Sequence, residues 1–194
     1  MKLINNFFEN INFTLSKLDK NRINDTIKLL KKIRNNQGRL FIIGIGGSAG
    51  NASHAVNDFR KLCNIDAYTP VDNISEITAR TNDEGFETIF DTYLKLSKIN
   101  KKDMLLIFSV GGGNLKKNVS TNIIKAIKFV KKKKTKIVSI VGRNDGYAYK
   151  NSDIKILIRV KDKKFLTPIS ETFQALIWHL FVSHPDLQTK KTKW

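Results

Sequence analysis

The chain contains a single cysteine and no long apolar run, and both shortages limit the classes of protein to which it can belong. Cys63 has no partner for an internal disulfide, so we expect it to act as a small buried hydrophobe. No apolar stretch approaches the roughly 20 residues that cross a bilayer. Polar residues also interrupt the N-terminal segment where a signal peptide would need an apolar core. We therefore expect one domain over residues 1–194, located in the cytoplasm and without a membrane partner.

Acidic residues are scarce, with 17 Asp and Glu against 35 Lys and Arg, which gives a formal net charge of +18. A strongly basic chain can bind nucleic acid. The lysines are widely spread, however, and the densest run, 131–136, lies between a predicted helix and a predicted strand, where cations stabilise a helix C-terminus. The sequence has no RNA-recognition, zinc-finger or basic-zipper pattern. Nucleic acid is therefore not the favoured partner, whereas phosphorylated metabolites would also be attracted to this surface.

The hydrophobic pattern indicates an α/β domain preceded by two helices. Apolar residues recur every three or four positions over residues 1–37, which predicts an N-terminal helical extension. Beyond it, short apolar runs alternate with helical patterns, and this alternation predicts a parallel sheet covered on both faces. The predicted strands are 39–45, 65–70, 104–110, 136–142 and 153–160. The predicted helices among and after them are 48–62, 74–80, 87–96, 118–130 and 169–183.

Two glycine-rich turns follow the first and third predicted strands. The turn GIGGS at 44–48 and the turn SVGGGN at 109–114 should share the edge of the sheet where parallel strands end and ligands bind. In the first turn, Gly46 and Gly47 let the backbone approach an anion. Ser48 can cap the next helix and donate to a phosphate oxygen. The spacing only approximates the dinucleotide fingerprint, so a nicotinamide cofactor stays open as a weaker alternative.

Histidines and acidic residues occur together in two predicted helices. His54 and Asp58 lie one turn apart after the first glycine-rich turn, a spacing that zinc accepts but that surface hydrogen bonds also use. The last helix carries Glu171, His179 and His184 in an otherwise apolar segment. Glu171 and His179 are about 12 Å apart along the helix axis, so they reach one site only through long side chains or against a second helix. A joint metal or proton-transfer site is one interpretation, and internally satisfied histidines are the other.

The segment ARTNDEG, residues 79–85, lies between two helical patterns. Asn82 and Asp83 can hydrogen-bond sugar hydroxyls, or Asp83 can cap the following helix. The sequence alone favours the cap.

Four segments together resemble the sugar isomerase (SIS) domain family, and specifically its phosphoheptose isomerase branch. They are GIGGSAGNASH, TNDEGFETIF, the strand that ends in Ser109, and the last helix with its acid and histidine. The resemblance covers nearly the whole chain. It implies a three-layer α/β sandwich with a five-stranded, flavodoxin-like parallel sheet, and a homotetramer with sites shared between subunits. It also implies conversion of sedoheptulose 7-phosphate to D-glycero-D-manno-heptose 7-phosphate for a surface glycan such as lipopolysaccharide or capsule, with zinc or a similar divalent metal.

The resemblance also implies a role for particular positions. The implied metal ligands are His54, Asp58, Glu171 and His179. Among them, Asp58 or Glu171 is the implied base and His179 the implied acid of an enediol(ate) mechanism. The implied substrate contacts are Ile45, Gly46, Gly47, Ser48, Asn82, Asp83 and Ser109.

The loop after Ser109 departs most from the family pattern, because it is several residues longer. Ser120 is the position that recovers the final serine of the family loop. We expect the phosphate contacts to come from Ser120 and from the backbone N–H groups of Gly111 to Asn114, or from Lys116 and Lys117.

Three single positions also depart from the family pattern: Ile45 stands for an asparagine, Asp58 for a glutamate and Glu171 for a glutamine. Two carboxylates and two histidines still suit a divalent ion such as zinc. The main alternative is a non-catalytic relative that senses phosphosugars or assists the DNA replication initiator, since such proteins share the fold. The retained His54 and His179 argue against that alternative.

Overall fold

The computed structural model describes residues 1–192, which fold around one five-stranded sheet. All neighbouring strands are parallel, in the order β2-β1-β3-β4-β5. The strands are β1 (Arg39–Ile43), β2 (Asp66–Tyr68), β3 (Met104–Ser109), β4 (Lys136–Val141) and β5 (Ile154–Leu157). The predicted α/β fold with five parallel strands is confirmed. Each strand is shorter than predicted, because buried apolar residues such as Ile65 continue the apolar run outside the paired region.

Eight α-helices are formed within residues 1–192, and they cover both faces of the sheet. They are α1 (Lys2–Ser16), α2 (Lys20–Asn35), α3 (Gly47–Cys63), α4 (Ile74–Glu84), α5 (Ile89–Leu96), α6 (Thr121–Lys132), α7 (Tyr147–Asn151) and α8 (Leu166–Ser183). Leu40 and Ile42 of β1 pack with α2, α3 and α8, whereas Phe41 and Ile43 pack with α5 and α6 on the opposite face. Alternate side chains of β1 therefore enter different layers, which explains why the strand is apolar after Arg39. In the described part of the chain, no helix has the length and apolarity needed to span a bilayer.

Three helices differ clearly from the sequence prediction. α4 continues to Glu84, and α6 begins only at Thr121, because Asn114 and Val119 pair in a small antiparallel bridge before it. α7 was not predicted, since five residues are too few to display a helical period.

The order in which strands are added to the sheet reverses between β1 and β3. β2 pairs with one edge of β1 and β3 pairs with the other. In open parallel sheets, ligands bind in the crevice outside the carboxyl ends of the two strands at this point. The two glycine-rich turns follow β1 and β3, so the fold brings both of them to that crevice.

The two N-terminal helices attach to the domain in different ways. α2 buries an apolar stripe in the core, whereas the buried residues of α1 are the polar Asn10 and Thr14. The Asn10 side-chain oxygen accepts hydrogen bonds from the backbone N–H groups of Lys161 (3.1 Å) and Asp162 (2.8 Å). The Thr14 hydroxyl donates to the Arg159 carbonyl oxygen at 2.7 Å. Hydrogen bonds therefore tie α1 to the segment after β5, and the extension boundary at residue 37 stays a prediction.

Cys63 ends α3 and is fully buried, as the sequence predicts. Its thiol lies 3.7 Å from the carbonyl oxygen of Val182 on α8. Burial raises the pKa of this thiol to about 11, so it stays protonated at neutral pH.

Replacing Asp91 by asparagine should stabilise the protein at neutral and higher pH. Asp91 lies in α5, and its buried Oδ1 has no hydrogen-bond partner within residues 1–192. Burial raises the pKa of this carboxyl. A raised pKa means that the protonated form favours folding, and this contribution is lost as the pH rises through the folded-state pKa. Asp91→Asn should therefore unfold at a higher temperature than the wild type at pH 7–8, and the gain should disappear below the ordinary aspartate pKa of about 4.

The control for this experiment is Asp25→Asn, at a carboxylate on α2 that pairs with Arg22 and is 44% exposed. Calorimetry between pH 3 and pH 8 compares the three proteins. A pH-independent effect of Asp91→Asn, or the same pH dependence in Asp25→Asn, would contradict the assignment.

Candidate active site

Two glycines shape the turn after β1, Gly46 through its positive φ and Gly44 through its close approach to the backbone. Gly46 adopts a positive φ of 61° and precedes α3, and its carbonyl oxygen accepts the first hydrogen bonds of the helix, from Ala49 and Gly50. A Cβ on Gly44 would collide with the backbone carbonyl of Ser48. The backbone therefore folds back tightly on itself, which directs the first N–H groups of α3 toward the switch-point crevice.

Ser48 is buried and joins α3 to α8. Its hydroxyl donates to Gln174 Oε1 at 2.8 Å, and Asn51 Nδ2 approaches the same oxygen at 3.4 Å while donating to the Glu171 carbonyl oxygen at 2.9 Å. The interpretation of Ser48 as a side-chain cap is wrong, because Gly46 occupies the cap position. Because the Ser48 hydroxyl donates its proton to Gln174, the predicted contact of Ser48 with substrate would have to come from the backbone N–H of Ser48.

The Glu171 carboxylate lies against Gly47, at the N-terminus of α3. Its carboxylate atoms are the nearest neighbours of the position that a Cβ on Gly47 would occupy, and they are too close to tolerate one. The positive end of the α3 dipole favours a carboxylate there. Glu171 therefore belongs to the glycine-rich end of the site in this conformation, and its role as a metal ligand stays a prediction.

His54, Asp58 and His179 converge where α3 crosses the C-terminal half of α8. One ligand atom from each lies within 4.8 Å of the others. His54 Nε2 is 3.8 Å from Asp58 Oδ2, and the two imidazole centroids are 5.5 Å apart. The structure thus brings together three of the four residues that were expected to share a metal site.

The His179 ring is oriented by two neighbours. Its Nδ1 donates to the Ala175 carbonyl oxygen at 2.8 Å, which leaves the Nε2 lone pair available as a ligand. The indole of Trp178 stacks on the same ring with 3.5 Å between centroids, and its centroid is 4.7 Å from that of His54. Two imidazoles and one carboxylate with a free coordination position are a donor set that suits catalytic zinc. Sequence reasoning missed Trp178, because a tryptophan in an apolar helix looks like an ordinary core residue.

Glycine carbonyls after β3 hold the second turn in place. The Ser109 hydroxyl accepts a hydrogen bond from the Gly112 N–H at 2.9 Å. The carbonyl oxygens of Gly112 and Gly113 accept from the backbone N–H groups of Ala148 and Tyr147, at the start of α7. Both glycines have a positive φ, which favours glycine at these positions. The turn therefore stands beside the first turn as a rigid loop.

The extra residues of this loop form a small hairpin. Asn114 and Val119 exchange backbone hydrogen bonds of 2.9 and 3.0 Å. The N–H groups of Gly112 and Asn114 therefore donate to acceptors within the loop and are not free to bind phosphate in this conformation. Ser120, with a φ of 51°, precedes α6 and makes no capping hydrogen bond through its side chain. The predicted contacts of Gly111 and Ser120 with phosphate stay predictions.

Asn82 and Asp83 lie near the end of α4, whose residues are all at least partly exposed. Asn82 Nδ2 donates to Asp83 Oδ1 at 2.7 Å. The interpretation of Asp83 as a helix cap is wrong, because Asp83 lies inside α4 and Gly85 precedes the following 3-10 turn, Phe86–Thr88. Their contact with substrate stays a prediction, and so does that of Ile45, which packs at the edge of the core.

Comparison with known families assigns the class of protein that this fold and site define. The SIS domain matches residues 6–142, which is more than half of the chain. The chain belongs to the SIS domain family.

Individual relatives are more specific. The phosphoheptose isomerase of Buchnera aphidicola subsp. Acyrthosiphon pisum (strain Tuc7) is 30% identical over 164 residues, which cover 81% of this chain and 77% of the relative. The lincomycin biosynthesis protein LmbN of Streptomyces lincolnensis is 30% identical over 154 residues, and this chain spans just over half of LmbN, 56% of its length. The structure of phosphoheptose isomerase GmhA from Neisseria gonorrhoeae superposes with a TM-score of 0.79 at 21% identity, covering 93% of this chain and 96% of that one. The resemblance to the phosphoheptose isomerase branch is confirmed.

An alanine at Gly47 should disturb the site while leaving the fold intact. The added Cβ would displace the Glu171 carboxylate, which is the far end of a flexible side chain, so the backbone need not move. We expect Gly47→Ala to fold with near-normal thermal stability and to lose most of the isomerase activity assayed for phosphoheptose isomerases.

Gly50→Ala is the matched control for this change. Gly50 lies in the same helix, and a Cβ there would meet nothing within 4 Å. It should keep its activity and gain roughly 0.5–1 kcal/mol of stability, since glycine weakens a helix by about that amount. Equal activity in the two variants would contradict a role for the Glu171 carboxylate in this position.

Proposed function

We propose that this protein is an aldose–ketose isomerase that converts sedoheptulose 7-phosphate to D-glycero-D-manno-heptose 7-phosphate, a precursor of a surface glycan. The single observation that carries the proposal is the convergence of His54, Asp58 and His179 within 4.8 Å. A fold that only binds a phosphosugar does not require two imidazoles and a carboxylate at one point. The relatives named phosphoheptose isomerase support the substrate.

The spacing along α3 is consistent with a long substrate. Gly47 and His54 are about 10 Å apart along the helix axis. A sugar phosphate held by its phosphate at the glycine-rich turns, with the Glu171 carboxylate rotated away from Gly47, would need an extended carbon chain to bring its carbonyl to the three-residue cluster. This arrangement favours a substrate whose phosphate is far from the reacting carbons.

The chemistry requires a base next to the carbonyl and an acid at its oxygen. Asp58 is the better supported base, because its carboxylate lies in the cluster, whereas Glu171 lies at the glycine-rich end. Asp58 would remove the proton from the carbon adjacent to the carbonyl. His179 would protonate the oxygen on the enediol(ate) pathway from Nε2 in the state in which this nitrogen carries a proton and does not bind metal, because Nδ1 is held by the Ala175 carbonyl. Trp178 and the Ala175 carbonyl keep the His179 ring in the required orientation.

We propose zinc as the cofactor, held by His54, Asp58 and His179, with Glu171 joining them after a rotation of its side chain. A divalent ion supplies positive charge that polarises the carbonyl and neighbouring hydroxyl oxygens. The donor set described above supports this assignment, because imidazole and carboxylate ligands suit zinc.

We further propose that the protein is a cytoplasmic homotetramer with its sites at subunit interfaces. His54 and His179 are exposed in one protomer, although the proposed reaction needs a site shielded from water. α1 and α8 also expose apolar side chains that a second subunit could bury, namely Leu3, Ile4, Phe8, Leu15, Leu176 and Leu180. Both observations support an assembly that completes the site.

Alanine substitution of the cluster histidines should remove metal and activity together. We expect His54→Ala and His179→Ala to lose zinc measured by atomic absorption. We also expect kcat on sedoheptulose 7-phosphate to fall by about 10²–10⁴-fold, the usual contribution of acid–base groups. Asp58→Asn should retain some zinc but lose turnover.

His184→Ala is the matched control, since it removes the remaining histidine of the chain, which lies outside the cluster. It should keep zinc and activity. Full turnover by His179→Ala, or the same loss in His184→Ala, would rule out the proposed mechanism. Tight zinc binding with no activity on any ketose phosphate would instead support a sensor.

A further inference from the structure

A crevice lined by cationic side chains lies on the same edge of the sheet as the candidate active site. Its walls come from α1, from the loops after β4 and β5, and from the first residue of α8. The cavity has a volume of about 520 Å³. That volume lies within the range of small-molecule sites.

The crevice carries more positive charge than its own residues neutralise. Three cationic side chains line it, Arg143, Arg159 and Lys163, against one carboxylate, Asp145. Arg143 already holds Asp145 through two hydrogen bonds of 2.9 and 2.6 Å. The side chains of Arg159 and Lys163 have no hydrogen-bond or ion partner in the described chain. Two uncompensated cations therefore face one cavity.

The segment that carries these cations is held in position. The Thr14 hydroxyl binds the Arg159 carbonyl, and Asn10 accepts from the N–H groups of Lys161 and Asp162. The Asp162 carboxylate accepts in turn from the Lys164 N–H at 3.1 Å. The backbone from Arg159 onward is thus ordered before any ligand arrives, which lowers the entropic cost of binding. Asn10 and Thr14, the buried polar residues of α1, thus hold the cationic segment in place.

The crevice is distinct from the histidine cluster. Leu166 lines the crevice and begins α8, whereas His179 lies thirteen residues further along the same helix. At 1.5 Å per residue, about 20 Å separates them along the axis. One small ligand cannot occupy both places.

We propose that this crevice binds a phosphate monoester of mononucleotide size. A phosphate monoester carries a charge of roughly −1.5 to −2 at neutral pH, which the two free cations balance, and the guanidinium of Arg159 matches phosphate geometry. Four apolar side chains also line the crevice, together with Gly142 and the polar Asn144: Phe13, Leu157, Val160 and Leu166. An aromatic ring next to phosphate-binding cations suits a ligand with a flat body, such as a nucleobase, better than a free phosphate ion.

Isothermal titration calorimetry of the full chain with AMP tests the proposal. We expect saturable binding of one AMP per protomer, weakened at least about tenfold in the double variant Arg159→Gln/Lys163→Gln, since each change removes a charge-assisted contact. Inorganic phosphate should bind more weakly than AMP, because it leaves the apolar walls empty.

The matched control is Lys161→Gln/Lys164→Gln, which removes the same charge from the same segment. These lysines pair with Glu9 and Asp162 and do not line the crevice. The control and His179→Ala should bind AMP within about twofold of the wild type, and the double variant should keep the thermal stability of the wild type. Absence of saturable binding, an equal loss in the control, a loss in His179→Ala, or phosphate binding as tight as that of AMP would overturn the assignment.

Discussion

The parallel packing of α3 against α8 is the contact on which the candidate site depends. Three levels of this contact follow one another along both helices: Glu171 against Gly47, Gln174 with Ser48 and Asn51, and Trp178 with His54. The middle level is a buried, hydrogen-bonded contact between the two helices, and buried polar groups of this kind favour one register. A shift of one helix by a single turn would separate the imidazoles by about 5 Å. The geometry of the cluster therefore depends on the hydrogen bonds that Ser48 and Asn51 of α3 make with α8.

Much of the fold could be predicted because it depends on local pattern. The apolar run of β1, the glycines after β1 and β3, and the alternation of strands with helices each have a direct physical meaning within a few residues. The predicted proximity of His54 and Asp58 is also found in the structure, because any helix brings residues four positions apart to the same face. The pairing of this helix with His179 is different, because it depends on how two helices more than a hundred residues apart in the chain pack.

Two of the features that could not be predicted require tertiary contacts, and a third depends on backbone hydrogen bonds alone. The Ser48 hydroxyl faces a glutamine on α8 rather than solvent, so its local preference for capping a helix does not operate. The extra residues after Asn114 form a hairpin through two backbone hydrogen bonds. Backbone hydrogen bonds do not depend on residue type, so the amino-acid composition of the loop does not indicate them. Trp178 is an aromatic among aromatics in sequence, and only the packed structure reveals that it lies against both imidazoles. For Ser48 and Trp178, contacts with residues distant in the sequence therefore decide where the side chain lies.

The buried thiol of Cys63 has a practical consequence for the same helix pair. It lies where α3 ends and faces a carbonyl of α8, so solvent can reach it only when the two helices separate. Thiol-directed reagents react with the ionised sulfur and need physical access to it. While α3 and α8 are packed together, the Cys63 thiol is both protonated and buried. The rate at which Cys63 reacts with such a reagent therefore reports how often the α3–α8 interface opens. The measurement needs no added label and no engineered residue.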